Sequence, residues 1–184
     1  DRSTCVLFGD GAGAAVLGEV PEGYGILAAE LGADGAGGSA LQMPAGGSLK
    51  PASLATVENR EHYIKMQGRD VFKFAVRIME ESARRVTSQA GLTLEDVHWV
   101  VPHQANVRII RAAAERLGIP EERFFVNVDR YGNTSAASIG LALDELARSG
   151  ELRHGDYLVL VGFGAGLTWS ALLVRWWSGE DADG

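Results

Sequence analysis

The chain is poor in cysteine, with one copy, Cys5, in 184 residues. A single thiol excludes an internal disulfide and fits a reducing cytoplasm. Basic residues are also short: Lys and Arg total 17 against 24 Asp and Glu, a formal charge of −7. That balance argues against general nucleic-acid binding, because neutralising phosphates needs a basic surplus. No apolar run approaches the roughly 20 residues that span a bilayer, and no signal peptide opens the sequence. No Cys/His cluster has metal-ligand spacing, so no metal site is expected. Low-complexity tracts are absent as well.

What remains is an ordinary globular composition, 46% hydrophobic and 22% charged, long enough for one domain with a substantial core. Strand-like and helix-like segments alternate along it. "GAAVLGEV" (13–20) and "YGILAAEL" (24–31) read as strands joined by a Pro21-Glu22-Gly23 turn. Residues 32–58 are rich in Gly, Ala, Ser and Pro and read as irregular. A helix is expected from about Asp70 to Ala90, with Phe72, Ala75, Val76, Met79, Ala83 and Val86 on one stripe and Gly91 as its stop. "VHWVV" (97–101) reads as a buried strand ended by Pro102. A second helix follows from about Asn106 to Leu117, closed by Gly118 and Pro120. "FFVNV" (124–128) reads as a strand. Asn133 or Thr134 can cap a third helix running to Arg148. "DYLVLVGFG" (156–164) and "LTWSALLVRW" (167–176) read as the closing strands. The pattern is α/β and layered, with mixed strand directions.

Glycine is the outlier, at 24 copies, clustered in a way that suggests tight turns and close backbone approach. "GDGAGAAVL" from Gly9 and "GFGAGLTWS" from Gly162 share the form G-x-G-A-G followed by a β-like run. That likeness suits a duplicated domain, or a coincidence among many glycines. Neither segment suits a phosphate loop, which needs a helix directly after its glycines, and no Gly-Lys-Ser/Thr is present.

In "VPHQANVRII", His103 leaves an apolar run where a strand meets a helix, the place α/β folds use for chemistry. "YGNTSAAS" repeats the design with Asn133 ahead of a helix. An imidazole and an amide converging on one oxygen could stabilise charge building on a carbonyl. The same spacing also fits a histidine that satisfies a buried backbone group and an asparagine that is only an N-cap.

"VPHQANVRII", "GNTSAASIGLAL", "LFGDGAGAAVL" and "GFGAGLTWSALLVRW", in that set, resemble the C-terminal part of a β-ketoacyl-acyl carrier protein synthase III. The resemblance covers essentially the whole chain. It implies a thiolase-like fold, a duplicated α-β-α-β-α arrangement of which residues 24–184 form the C-terminal half. Residues 1–23 would then be the end of the N-terminal half, with its last strand. It implies that His103 and Asn133 hold the malonyl thioester carbonyl during decarboxylation, and that the Ala165 amide is an oxyanion contact. Met66, Phe72 and Ala105 match positions lining the acyl or pantetheine channel. Arg108 matches a carrier-protein docking residue, with Arg111 and Arg116 loosely on the same side of the helix. The implied partners are acyl-CoA, malonyl-acyl carrier protein, the other half of the fold and a second subunit. No cofactor is implied.

The family's nucleophile is a cysteine at the start of a buried helix in the first half, and Cys5 does not match that motif. Cys5 reads as a small core or near-surface residue. His98 alternates with apolar neighbours, and His62 and His154 read as solvated. Two rival readings stay open: a polyketide priming ketosynthase of the same fold, and a non-catalytic fragment that binds carrier protein. A half-fold is further expected to expose apolar faces.

Overall fold

In chain order, the computed structural model, which describes residues 2–179, begins with a one-turn helix α1 (Arg2–Cys5) and an extended segment through residue 20. Strand β1 (Gly25–Ala33) and a short hairpin-like pair, β2 (Leu41–Gln42) and β3 (Lys65–Met66), flank a loop region holding α2 (Leu54–Glu58). The long helix α3 (Gly68–Gln89) follows, then β4 (Trp99–Pro102), α4 (Val107–Leu117), α5 (Val128–Tyr131), α6 (Ala137–Ser149), β5 (Tyr157–Gly164) and β6 (Thr168–Arg175).

Four strands form a mixed sheet in the order β1-β6-β5-β4. β4 and β5 run parallel, whereas β5 with β6 and β6 with β1 are antiparallel. Alternating side chains along β4 and β5 serve two cores. Val100, Val159 and Val161 face α3 and α4, where Met79, Ala83, Val86, Ile110 and Ala113 are fully or almost fully buried. Val101 and Leu158 face the other way, onto Ala142 and Leu146 of α6. The result is three layers, helix on sheet on helix.

The helix stripe lies where the sequence puts it, except that Phe72 is not on the buried face: it stands 37% exposed. A second stripe that the spacing does not single out, Phe74 and Ile78, packs on Leu167. Helix α4 starts at Asn106, whose Oδ1 accepts the Arg108 N–H at 2.8 Å, and ends on Gly118 in the left-handed region.

Three local expectations fail. Residues 13–20 form no strand; every one is exposed, with Val16 at 99%, because among the described residues no strand lies beside them to complete a hydrogen-bonded ladder. The Pro21 turn does form, the Tyr24 N–H bonding the Pro21 carbonyl at 3.1 Å. "FFVNV" makes only an isolated bridge, Phe124 against Val100, since the Gln104 side chain takes the Phe125 carbonyl and the Asn127 N–H that a ladder would have used. Helix α6 is not capped by Asn133 or Thr134. Its N-cap is Ala136, without a side-chain cap.

Several large apolar residues stand exposed. Val16, Leu17, Leu31, Leu49 and Leu54 are each more than four-fifths exposed. Among the described residues, no helix is long and apolar enough to cross a membrane.

Candidate active site

Strand β4 delivers His103. Its N–H bonds the Val161 carbonyl at 2.8 Å, carrying the parallel pairing with β5 one residue past the strand. Since backbone N–H groups alternate in direction along a strand, the missing N–H of Pro102 falls on the side away from β5. Proline therefore costs no ladder bond here. The Pro102 carbonyl accepts the Gln104 Nε2 at 2.9 Å, and Gln104, 1% exposed, bends the chain into α4 with its amide fully used.

Asn133 is held from its backbone by the N-terminal glycine segment. Its N–H bonds the Leu7 carbonyl at 2.9 Å, and its carbonyl accepts the Gly9 N–H at 3.0 Å. A Cβ on Gly9 would lie 2.1 Å from the Tyr131 carbonyl oxygen, and one on Gly13 would lie 3.3 Å from the Gly140 Cα. The glycines of "GDGAG" are therefore there for close approach to residues 131–140. Asn133 Oδ1 accepts the Ser135 N–H at 2.9 Å, an Asx turn that leaves the Nδ2 hydrogens as the outward donors. Ser135 adopts a positive φ of 53° to make that turn, a strained conformation of the kind that collects at functional sites.

His103 and Asn133 open onto one cavity of about 1100 Å³, roughly the upper size of a small-molecule site. Met66, Phe72, Ala105 and Ala165 line the same cavity. Six of the eight residues expected to form the site are thus brought together by α3, β3, the β4–α4 corner, the segment before α6 and the β5–β6 turn. Burial pushes the His103 imidazole down from its ordinary 6.5 to about 4, so it is neutral near pH 7. Its Nδ1 lies 2.6 Å from the Ser138 Oγ, which also accepts the Gln104 N–H at 3.2 Å. The Phe163 ring meets the imidazole edge to face, 5.3 Å between centroids. Ser138, Gln104 and Phe163 went unmarked in the sequence reading. A polar residue next to the motif histidine was the available signal for Gln104, and the aromatic inside "GFGAG" for Phe163; Ser138 carried none.

The arginines lie elsewhere, on the exposed face of α4. Arg111 pairs with Glu121 at 3.3 Å and Arg116 with Glu80 at 3.5 Å, while Arg108 makes no ion pair among the described residues. The basic patch is narrower than the residue count implies, although exposed pairs of this kind are weak and exchangeable. Cys5 is exposed in α1. His98 is exposed next to Asp156. His62 and His154 are not solvated as expected. Both are half-buried, with Nε2 bonded to the Thr56 and Tyr24 hydroxyls respectively.

A mixed sheet between helix layers, with a histidine at a strand end and an asparagine before the opposing helix, defines this as a thiolase-like fold. The chain belongs to the 3-oxoacyl-[acyl-carrier-protein] synthase III family, and corresponds to the C-terminal portion of its members. The family's C-terminal domain profile matches residues 87–176, and its 3-oxoacyl-[acyl-carrier-protein] synthase III profile matches residues 1–35. The β-ketoacyl-[acyl-carrier-protein] synthase III of Desulfitobacterium hafniense (strain Y51) is 61% identical over 176 residues, 96% of this chain and 53% of that protein. The crystal structure of the Thermus thermophilus synthase III superposes with a TM-score of 0.85 at 52% identity, over 96% of this chain and 54% of that one. The priming β-ketosynthase of the R1128 polyketide pathway superposes with a TM-score of 0.70 at 38% identity, over 83% of this chain and 45% of that one. The chain spans about half the length of the relatives it matches.

Proposed function

We propose that this chain is the C-terminal part of a β-ketoacyl-acyl carrier protein synthase III that starts fatty-acid chains by decarboxylating Claisen condensation. Residues 24–184 supply the second half of the duplicated fold, and residues 1–23 the end of the first. The remainder of the first half, with the nucleophilic cysteine, lies outside this sequence. The observation that carries the reading is the single cavity shared by His103, Asn133 and the channel-lining Met66, Phe72 and Ala105, in a chain 61% identical to a named synthase III.

In the intact enzyme, the cysteine thiolate attacks the thioester of an acyl-CoA and releases CoA. Malonyl-acyl carrier protein then enters, and its thioester carbonyl is held by His103 Nε2 and Asn133 Nδ2. The bond to the carboxylate breaks, carbon dioxide leaves, and the electron pair moves onto the carbonyl oxygen as an enolate. Two fixed donors in an apolar cavity stabilise that charge without reorganising. The enolate carbon next attacks the acyl-cysteine carbonyl, whose oxyanion takes the Ala165 N–H. The new carbon–carbon bond forms, and the thiolate departs. Arg108 meets the acidic carrier, with Arg111 beside it once its exposed partner is exchanged. The enzyme works in the cytoplasm as a homodimer and uses no cofactor. A polyketide priming ketosynthase is the second reading, favoured by the R1128 priming enzyme's likeness at 38% identity.

The test uses the full-length protein and separates two half-reactions. His103→Ala should abolish carbon dioxide release from malonyl-carrier protein while acyl-enzyme formation from acyl-CoA continues. Decarboxylation at the wild-type rate in that variant contradicts the reading. The 184-residue chain alone should take no acyl group from acyl-CoA. Stoichiometric, hydroxylamine-labile acylation of Cys5 overturns that expectation. Preference among starter thioesters distinguishes the fatty-acid from the polyketide reading.

A further inference from the structure

We infer that Ser138 is a positioning residue that fixes the tautomer of His103, so that the proton sits on Nε2 and faces the cavity. The inference rests on the proposed role of His103 as a hydrogen-bond donor to the malonyl carbonyl.

The argument is one of donors and acceptors. The Gln104 N–H can only donate, and it reaches the Ser138 Oγ at 3.2 Å. One lone pair of that oxygen is therefore occupied. Ser138 is 1% exposed, and among the described residues its Oγ has one other neighbour within bonding distance, the His103 Nδ1 at 2.6 Å. The hydroxyl hydrogen has no other acceptor and must go to Nδ1. Nδ1 is then the bare nitrogen and accepts. A neutral imidazole carries one proton, which leaves it on Nε2. The imidazole is neutral near pH 7, since burial lowers its pKa to about 4.

The alternative tautomer fails on the same count. With a proton on Nδ1, the buried Ser138 hydroxyl would have no acceptor for its hydrogen, and Nε2 would turn a lone pair toward an oxygen gaining negative charge. The elements make the device rigid. Gln104 belongs to the β4–α4 corner, its side chain tied to Pro102, Phe125 and Asn127, and Ser138 lies in the first turn of α6. The two donors are thus set by matching means: Ser135 N–H occupies the acceptor end of Asn133, and Ser138 O–H occupies the acceptor end of His103.

The experiment uses the full-length synthase with ¹⁵N-labelled histidine, comparing wild type, Ser138→Ala and Ser138→Thr. Long-range ¹H–¹⁵N correlation reports which ring nitrogen carries the proton, His103 being assigned by its loss in His103→Gln. The expected wild-type result is a single Nε2–H tautomer. Ser138→Ala should populate both tautomers and lower kcat for malonyl decarboxylation by about 10- to 100-fold, by analogy with the loss of a partner that orients a metal-ligating histidine. KM and acyl-enzyme formation should hold, while Tm falls modestly because the buried Gln104 N–H loses its acceptor. Ser138→Thr, which keeps the hydroxyl, should retain the wild-type tautomer and most of the rate. A proton on Nδ1 in the wild type overturns the inference. So does Ser138→Ala with unchanged tautomer or unchanged kcat beside an inactive His103→Ala. If His103→Ala itself decarboxylates normally, the proposed role of His103 falls and the Ser138 role falls with it.

Discussion

Replacing Asn133 by aspartate separates the two ends of its amide. The acceptor end holds the Ser135 N–H at 2.9 Å, and a carboxylate oxygen keeps that bond, so the Asx turn and the start of α6 survive. The backbone clamp survives too, because Leu7 and Gly9 bond only the main chain of residue 133. What changes is the outward Nδ2, a donor replaced by an anionic acceptor facing the same cavity. Removing one preorganised oxyanion donor costs about 10²- to 10³-fold in kcat, or about 2.7–4 kcal/mol. An anion in its place can only add to that loss, so a fall of at least about 10²-fold is expected. The assay follows carbon dioxide release from malonyl-carrier protein by full-length Asn133→Asp, with acyl-enzyme formation and Tm as controls. Asn133→Ala should lose a similar amount and some stability, as the turn goes as well. Wild-type decarboxylation by the aspartate variant would refute the claim that Nδ2 is the donor. Loss of folding in both variants alike would refute the claim that the two ends do separate work.

Three further expectations concern charge and packing in the full-length protein. Burial lowers His103 from 6.5 to about 4, so the unfolded chain binds a proton there that the native chain resists. Stability from this group should therefore fall as pH drops from about 6.5 to about 4, and the difference in urea midpoint between pH 7 and pH 5 should shrink in His103→Gln; an unaltered difference would show that burial does not shift this group. Arg108→Glu should raise KM for the malonyl-carrier protein severalfold with kcat unchanged, and Arg111→Glu, already paired with Glu121, should do less; equal effects in steady-state kinetics would remove the distinction. Met79, fully buried between α3 and the sheet, should cost about 2–5 kcal/mol as Met79→Ala in chemical denaturation, whereas a loss below about 1 kcal/mol would mean that the core collapses around the gap.

The principal elements β1, α3, β4, α4, α6, β5 and β6 were legible because their signals are local. A five-residue stripe on α3, an Asn cap on α4 and left-handed glycines after α4 and α6 each specify an element by themselves. Residues 13–20 and 124–128 misled because β-like composition says nothing of whether a partner strand exists. For the second, the partner was displaced by one buried side chain, Gln104. His103 and Asn133 were legible as candidates from their place at element ends, and the motif resemblance named them. What stayed hidden was the support behind them. Ser138 looks like any helix serine until the corner folds over it, and the Gly9 clamp on Asn133 joins residues far apart in sequence. The pairing of Arg111 and Arg116 with Glu121 and Glu80 was not visible in the sequence, because the acidic partners come from other elements.

The central claim is that His103 and Asn133 act on one oxygen. A crystal structure of the full-length protein holding a stable, non-decarboxylating malonyl thioester analogue tests it most directly. The thioester carbonyl oxygen is expected at about 3 Å from both His103 Nε2 and Asn133 Nδ2, with the Ser138 Oγ still on Nδ1. A carbonyl bound to neither donor, or to one with the other turned to protein, contradicts it.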